Sequence, residues 1–465
     1  MGGMTRAGAL IWIALAIILV LTVAGPFGGL SREAQAAAAI GLAMAILWVS
    51  EAVPLAVTAL LPLVLFPLFG IASIADLGSS YANPVIFLFL GGFLIARAIE
   101  TWALHRRLAF TILSRTSGDP AVVILAVMGV TAFLSLWISN TAATMVIAPI
   151  AASLAALRET DRAFATALML GTAYAATIGG MGSLIGTPPN ALFAAYMQET
   201  HNIVIGFAEW MLVGLPVVLV LLPITWLVLT RWAFRPASGH LRTDFARLDA
   251  MSTGEIRVAL VSGLTALGWI ARPVISEFAP SLGLTDAGIA MTGAVALFML
   301  PSGGKDGKRL LDWQAASSLR WDVLILFGGG LALASAIDST GLAAWIGDRA
   351  TALQAYPVLA ILVILALVIV YLGELASNTA MAAIFLPVAG AMAVALGADP
   401  LTFALPVAMA ASIGFMLPVA TPPNAIVFAN PAVTRQSMIR AGTPLDLIGI
   451  MIALGAGALL GPMIF

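Results

Sequence analysis

The chain has no cysteine and only three histidines in 465 residues. The first absence excludes disulfides, thiolate metal sites and cysteine nucleophiles, and says nothing about compartment. The histidines, His105, His201 and His240, read as lying in connecting segments, and neither His-Glu-x-x-His nor Gly-x-Ser-x-Gly occurs. That argues against the usual zinc and serine intramembrane hydrolases, and no catalytic residue is expected. Charge is scarce as well. Only 9% of residues are Asp, Glu, Lys or Arg, and the formal net charge is −1, which gives no electrostatic case for nucleic acid. A soluble domain is roughly half apolar and about a quarter charged; here 61% of residues are hydrophobic and the mean hydropathy is +1.07. Such a chain cannot keep its surface wet, so lipid is its expected solvent.

What is present is a series of apolar runs. Arg6 precedes a run from Ala9 to Ala24, and the alanine-rich Ala34 to Ala39 follows. This reads as a retained first span, with a cleaved signal peptide as the alternative. Stretches of spanning length fall near 9–26, 36–53, 56–71, 84–104, 164–186, 209–230, 256–271, 285–301, 322–337, 401–419 and 444–463. Two longer apolar regions, 121–157 and 357–396, are each interrupted near the middle by Ser-Asn-Thr. They read as re-entrant hairpins, although two full spans joined by a tight turn fit the length almost as well.

Charge sets the orientation. With the N-terminus in the cytoplasm and the hairpins not crossing, Arg6, Arg106, Arg107, Arg115, Arg158, Arg162, Arg231, Arg235, Arg242, Arg247, Arg257, Lys305, Lys308, Arg309, Arg320, Arg435 and Arg440 fall inside. Only Arg32, Arg272 and Arg349 fall outside, and Arg97 lies within a helix. The asymmetry obeys the positive-inside rule and leaves the C-terminus outside. Counting the hairpins as four spans preserves the parity, so the rule fixes orientation without deciding re-entrance. The expected location is the inner (plasma) membrane, multi-pass.

The chain also repeats itself. Val85-Ile-Phe-Leu-Phe-Leu-Gly-Gly92 aligns with Val323-Leu-Ile-Leu-Phe-Gly-Gly-Gly330, and the same offset of 238 residues carries Ser139-Asn140-Thr141 onto Ser377-Asn378-Thr379. After a four-residue deletion, Thr187-Pro188-Pro189-Asn190 aligns with Thr421-Pro422-Pro423-Asn424. An odd number of crossings separates equivalent helices, so the halves have opposite orientation. Inverted repeats are a carrier's device, since they supply two near-equivalent states facing opposite sides, and a channel needs no such device.

Thr-Pro-Pro-Asn is a helix start: threonine suits the N-cap, and proline suits the first helical position. Thr187 and Thr421 are therefore expected to begin new helices inside the membrane, after helices that stop in Gly179-Gly180-Met181-Gly182 and in Met416-Leu417-Pro418. A helix broken in lipid leaves orphan carbonyls and amides, tolerated only where they line a cavity or bind something. The carbonyl end suits a cation and the N-terminal end an anion. Ser-Asn-Thr offers hydroxyl and amide oxygens for a hard cation and donors for an anion. Each motif has a structural reading too, as a proline kink or as interhelical glue, but recurrence at matched positions weakens it. No arginine or lysine lies in these four elements. An anion here would be held by amides, hydroxyls and helix termini, with bound cations supplying the positive charge. A naked dianion in a low-dielectric site is very unfavourable, which is a physical argument for cation coupling.

The doubled Ser-Asn-Thr and Thr-Pro-Pro-Asn motifs, with Trp137-Ile138 before one tip and Glu374 before the other, resemble the divalent anion:sodium symporter family over nearly the whole chain. The resemblance implies an all-α polytopic membrane protein of about eleven transmembrane helices and two re-entrant hairpins, a homodimer, and an elevator movement. Residues 121–230 and 356–465 would carry the hairpins and broken helices of the transport part, with 1–120 and 231–355 as scaffold. It implies one Na+ site per repeat: Ser135, Ser139, Asn140 and the Gly186 backbone in the first, Ser377, Asn378 and the Ala420 backbone in the second. Gly373 stands where the first repeat has Ser135, so the second site lacks one side-chain oxygen. Substrate carboxylates would meet Asn140, Thr141, Thr187 and Pro188 from one half, and Asn378, Thr379, Thr421 and Pro422 from the other. Glu374 reads either as an electrostatic contributor or as a paired structural acid, the latter slightly favoured.

The expected function is sodium-coupled uptake of small dicarboxylates such as succinate, malate and fumarate. An exchanger of the same architecture without net sodium coupling, kept open by Gly373, and a sodium-coupled citrate or sulfate carrier are the alternatives. An intramembrane enzyme and a passive anion channel are disfavoured.

Overall fold

The computed structural model describes residues 5–23, 28–114, 116, 118–158, 160–241, 249–304 and 307–465. Ala24, and Arg115, Arg242, Arg247 and Lys305 of the charge count, lie outside the described residues. Among those described, every regular element is a helix. Extended backbone pairs only at two isolated bridges, Gly118 with Leu241 and Pro301 with Arg309.

The chain opens with α1 (Arg6–Val23) and α2 (Arg32–Ser50), then the short α3 (Leu55–Thr58), α4 (Leu61–Leu68) and α5 (Ile74–Tyr81). The first repeat comprises α6 (Pro84–Thr101), α7 (Leu104–Leu113), α8 (Pro120–Ser135), α9 (Asn140–Ala156), α10 (Arg162–Gly180), α11 (Pro188–His201) and α12 (Phe207–Leu227). Next come α13 (Thr253–Phe278), α14 (Asp286–Met299) and α15 (Trp313–Ser317). The second repeat is α16 (Trp321–Ser339), α17 (Leu342–Ala350), α18 (Val358–Gly373), α19 (Asn378–Ala395), α20 (Pro400–Ala410), α21 (Pro422–Phe428) and α22 (Arg435–Gly455), followed by α23 (Gly461–Ile464).

Helix starts carry the repeat. Leu104 and Leu342, Pro120 and Val358, Asn140 and Asn378, and Arg162 and Pro400 begin equivalent helices, each pair 238 residues apart. Both α12 and α22 run on into a π-helical turn, Val228–Ala233 and Ala456–Leu460. Local chemistry explains several starts: Asn83, Asp119 and Asp399 each precede a proline at the first helical position, and each side chain accepts the backbone N–H two residues on, at 3.0, 2.8 and 2.8 Å.

Eleven full spans were expected. Eight helices among the described residues are long and apolar enough to cross a membrane, or nine counting a pair bent by 120° between Leu342–Ala355 and Val358–Gly373. Seven of the eight fall on expected spans, and the eighth, Asn378–Ala395, is an arm of the second interrupted region; the expected spans near 9–26 and 285–301 form shorter helices, and those near 56–71 and 401–419 are broken. Residues 56–71 form α3 and α4, because Pro62 lacks the amide that would bond to the Thr58 carbonyl. The 401–419 stretch ends as a helix at Ala410, earlier than the expected stop at Met416-Leu417-Pro418, and the chain stays non-helical until α21. The α10 helix stops at Gly180, inside the expected Gly179–Gly182. His105 lies within α7 and His201 is the last residue of α11, so only His240 occupies a connecting segment.

The two interrupted regions are hairpins of packed helices, α8 with α9 and α18 with α19. At 1.5 Å per residue, the 16 and 17 residues of α8 and α9 reach only about 24–26 Å, short of the roughly 30 Å of a hydrocarbon core. Burial separates two kinds of helix. The α13 helix turns Ile256, Leu260, Leu264, Leu267 and Val274 outward, as lipid-facing residues do, and buries Val258, Val261, Thr265 and Trp269. The α10 helix is enclosed almost all round. Its small residues permit this: a Cβ on Gly179 would stand 2.3 Å from the Ala132 carbonyl oxygen, so backbone lies directly on backbone. Close approach of this kind holds helices together where lipid removes the hydrophobic drive.

Candidate functional site

Each hairpin tip ends one helix and caps the next. Ser135 is the last residue of α8 and is fully buried; its Oγ–H donates to Asn140 Oδ1 at 2.6 Å. Ser139 is the N-cap of α9, and its Oγ accepts the Ala142 N–H at 3.2 Å. Asn140 and Thr141, both half-buried, open that helix. Asn140 also reaches the broken helix, since a Cβ on Gly180 would stand 2.3 Å from its Oδ1, and one on Gly186 would stand 2.5 Å from the Gly180 carbonyl oxygen. Ser135, Asn140, Gly180 and Gly186 are thus one contiguous group, with Ser139 at its edge.

The second tip has the same plan with one hydroxyl missing. Ser377 holds the N-cap position of α19 but accepts no capping bond. Asn378 Oδ1 is buried without a hydrogen-bond partner. Its first-repeat counterpart, Asn140 Oδ1, is satisfied by Ser135, and Gly373 has no hydroxyl to offer. Gly414, the counterpart of Gly180, lies beside Ala420, its Cβ position being 3.3 Å from the Ala420 Cβ. Thr379 is buried in the first turn of α19.

The helices after the breaks start as the motif predicts, with one difference. Thr421 caps α21 by accepting the Asn424 N–H at 3.3 Å, and Pro422 takes the first helical position. Thr187 has the same extended backbone, and Pro188 the same place in α11, but the Thr187 side chain makes no capping bond.

The role of the final motif asparagine was missed in the sequence. Asn190 Nδ2 donates to the carbonyls of Gly180 at 3.0 Å and Ser183 at 2.8 Å. Asn424 Nδ2 donates to Gly414 at 3.0 Å and Leu417 at 2.9 Å. Both side chains are fully buried. They satisfy carbonyls that the break has orphaned and tie the two half-helices together. The signal was available, because both copies of the motif end in asparagine. Glu374 acts on the second break as well, accepting the N–H groups of Met416 at 2.7 Å and Leu417 at 2.6 Å, while Asp446 Oδ1 accepts that of Phe415 at 3.0 Å. This supports the structural reading of Glu374. Asp446 was missed, although an acid in the apolar run of a spanning helix is a functional signal in itself.

The halves interleave. The α21 helix packs on α9 and α10, while α11 packs on α19 and α20. Tyr174 of α10 donates its hydroxyl to the Phe415 carbonyl of the second break at 2.7 Å. Each break is therefore covered by an arm of the other half's hairpin, which gathers both tips and both breaks into one body. Oxygen atoms at two matched tips, backbone freed at two matched breaks and no fixed positive side chain define a secondary carrier for anions and small cations.

The family profile described as the sodium:sulfate symporter transmembrane region matches residues 6–465, and the chain belongs to that family. It is 38% identical over 435 residues to the sodium-dependent dicarboxylate transporter SdcS of Staphylococcus saprophyticus, and 39% identical over 435 residues to SdcS of Staphylococcus aureus strain USA300. Each alignment covers 89% of this chain and 83% of the relative. Its fold is similar to that of the Alcanivorax borkumensis YdaH transporter, a solved structure described as having an unusual topology, with a TM-score of 0.65 and 16% identity over 98% of both chains. That likeness concerns the fold alone.

Proposed function

We propose that this protein is a plasma-membrane carrier that takes up C4-dicarboxylates with sodium by alternating access. The observation that carries the reading is an inequality between matched positions. Ile185, in the first break, is 9% exposed and lies against scaffold helix α6, where a Cβ on Gly92 would stand 3.2 Å from its Cγ2. Val419, the same position in the second break, is 72% exposed. Two halves related by inversion, one sealed on the scaffold and the other open, are what one end state of such a carrier requires. With the N-terminus cytoplasmic and the C-terminus outside, the open break faces the cytoplasm. The transport part, 121–230 and 356–465, would move as an elevator against 1–120 and 231–355, in a homodimer.

Sodium and substrate follow from the site's chemistry. Ser135, Ser139, Asn140 and the Gly186 carbonyl would hold one Na+; Ser377, Asn378 and the Ala420 carbonyl would hold the other. The buried Asn378 Oδ1, which accepts no hydrogen bond, is a ligand suited to a hard cation. Asn140, Thr141, Thr187, Pro188, Asn378, Thr379, Thr421 and Pro422 would meet the two carboxylates, and the names of the staphylococcal relatives support a dicarboxylate. Uptake of labelled succinate into proteoliposomes, with and without an inward sodium gradient, tests the proposal. Succinate should accumulate only with the gradient, and monomethyl succinate should compete poorly, because helix N-termini and donors favour a dianion. Accumulation driven only by internal dicarboxylate would establish the exchanger, and equal competition by the monoester would refute double carboxylate capture.

A further inference from the structure

The two breaks are not built alike, and the difference is chemical. In the first, a Cβ on Gly182 would stand 2.6 Å from Leu136 Cδ2 and 3.0 Å from Val218 Cγ2. The repeat carries Gly182 onto Met416 and Leu136 onto Glu374. Val218 is carried onto Asp446 by the register that relates Gly214 to Gly442, whose Cβ positions lie 2.6 Å from the Met181 carbonyl oxygen and 2.4 Å from that of Phe415. An apolar pair in one half has become an acid pair in the other. Glu374 is 1% exposed and Asp446 is fully buried, and they accept the amides of consecutive residues, Asp446 that of Phe415 and Glu374 those of Met416 and Leu417, which sets the two carboxyls side by side. Both Glu374 oxygens and Asp446 Oδ1 each accept a backbone N–H; Asp446 Oδ2 has no donor.

Among the described residues nothing basic neutralises the pair. Neither acid enters any ion pair among the described residues. The helices α19 and α20, packed against α18 and α22, carry no titratable side chain; α12 brings only Glu209, which pairs with Arg272, and the π-turn after it brings the exposed Arg231. On α22 itself Arg435 and Arg440 are exposed. The remaining titratable neighbours are the phenols of Tyr174 and Tyr371. Two carboxylates in contact away from water repel strongly unless something positive sits between them. A metal cation needs a cage of oxygens, whereas three of the four here already face amide hydrogens. A proton needs two oxygens.

We propose that Glu374 and Asp446 are a proton site of the second half, taking up one proton and releasing it in each transport cycle alongside sodium. The inference rests on the carrier reading above. The proton forms an O–H bond at Asp446 Oδ2, hydrogen-bonded to Glu374, and leaves to water on the other side; no other bond changes. Val419, exposed in the present state, lies two residues from Leu417, whose amide binds Glu374.

The test uses the full chain in proteoliposomes clamped at zero voltage, with equal sodium on both sides and fumarate, which stays a dianion above neutrality. A gradient of about one pH unit, acid outside, should accumulate fumarate about tenfold in the wild type, since one co-transported proton converts a tenfold proton ratio into a tenfold substrate ratio. Asp446→Asn, and the double variant Glu374→Leu/Asp446→Val that installs the first half's pair, should accumulate none under the pH gradient. Infrared spectra supply a readout independent of transport: the wild type should show the C=O band of a protonated carboxyl, and Asp446→Asn should lack it. If sodium gradients drive wild-type uptake but pH gradients do not, or if the band survives in the variant, the proton site is overturned and the sodium carrier stands. Failure of both gradients would overturn the carrier reading itself.

Discussion

Replacing Gly373 by serine restores to the second tip the hydroxyl that the first tip has. The substitution fits: a Cβ at Gly373 would meet only Met381 Cγ at 3.6 Å, an ordinary contact. The new Oγ would stand to Asn378 as Ser135 stands to Asn140, where the hydrogen bond is 2.6 Å long. It would satisfy an acceptor that is now buried without a partner, and it would offer sodium a further oxygen. A typical hydrogen bond is worth about 1 kcal/mol net. If that gain falls on the ion-bound state, the sodium concentration for half-maximal uptake falls about fivefold. Succinate uptake measured against sodium concentration reads the shift. Gly373→Ala is the control, because it adds the Cβ and the helix propensity without the hydroxyl. An unchanged sodium dependence in a well-folded Gly373→Ser, or an equal shift in Gly373→Ala, would refute the idea that the missing oxygen weakens the second site.

Three other outcomes follow from the same geometry. Asn140→Ala removes the oxygen that joins Ser135 to the first break, and should raise the sodium requirement steeply or abolish uptake. Asn424→Asp keeps the shape but loses two N–H donors to the Gly414 and Leu417 carbonyls; with an unpaired buried group costing about 1–3 kcal/mol, it should lower the thermal unfolding midpoint, and an unchanged midpoint would show that the break needs no such tie. Finally, the cysteine-free chain allows single cysteines. In sodium-free vesicles Val419→Cys should react rapidly from the cytoplasmic side and Ile185→Cys slowly, with the order reversing when the carrier turns outward. Equal rates in every condition would argue against one break opening at a time.

Much of this architecture was legible because the chain states it twice. Ser-Asn-Thr and Thr-Pro-Pro-Asn are each weak alone, yet their recurrence located both tips and both helix starts. Helix lengths were less legible. Hydropathy cannot distinguish an apolar residue in a helix from one in an apolar linker, so the stretch through Ile413 and Phe415 read as a span although α20 ends at Ala410. Asn190 and Asn424 escaped because their partners are backbone carbonyls seven and ten residues back, a pairing that only the folded break creates. Asp446 escaped because its meaning depends on Glu374, 72 positions earlier in sequence. The missing serine at 373, by contrast, was visible as a gap in the repeat, and the orphaned Asn378 oxygen is its structural imprint.

The interleaving of the halves has a consequence for how the protein is made. The first hairpin and its broken helix leave the ribosome as polar Ser-Asn-Thr and loose backbone in a membrane, with nothing yet to cover them. Their cover, α21 packed on α9 and α10, is encoded some 240 residues later, which at about 5–20 residues per second is on the order of 10–50 s of synthesis. Over that interval the early half has to borrow its cover, from lipid-embedded water, from a neighbouring chain or from the insertion machinery. A ribosome stalled before Pro422 would leave a product with both hairpins made and the first tip and break still without the α21 that packs on α9 and α10.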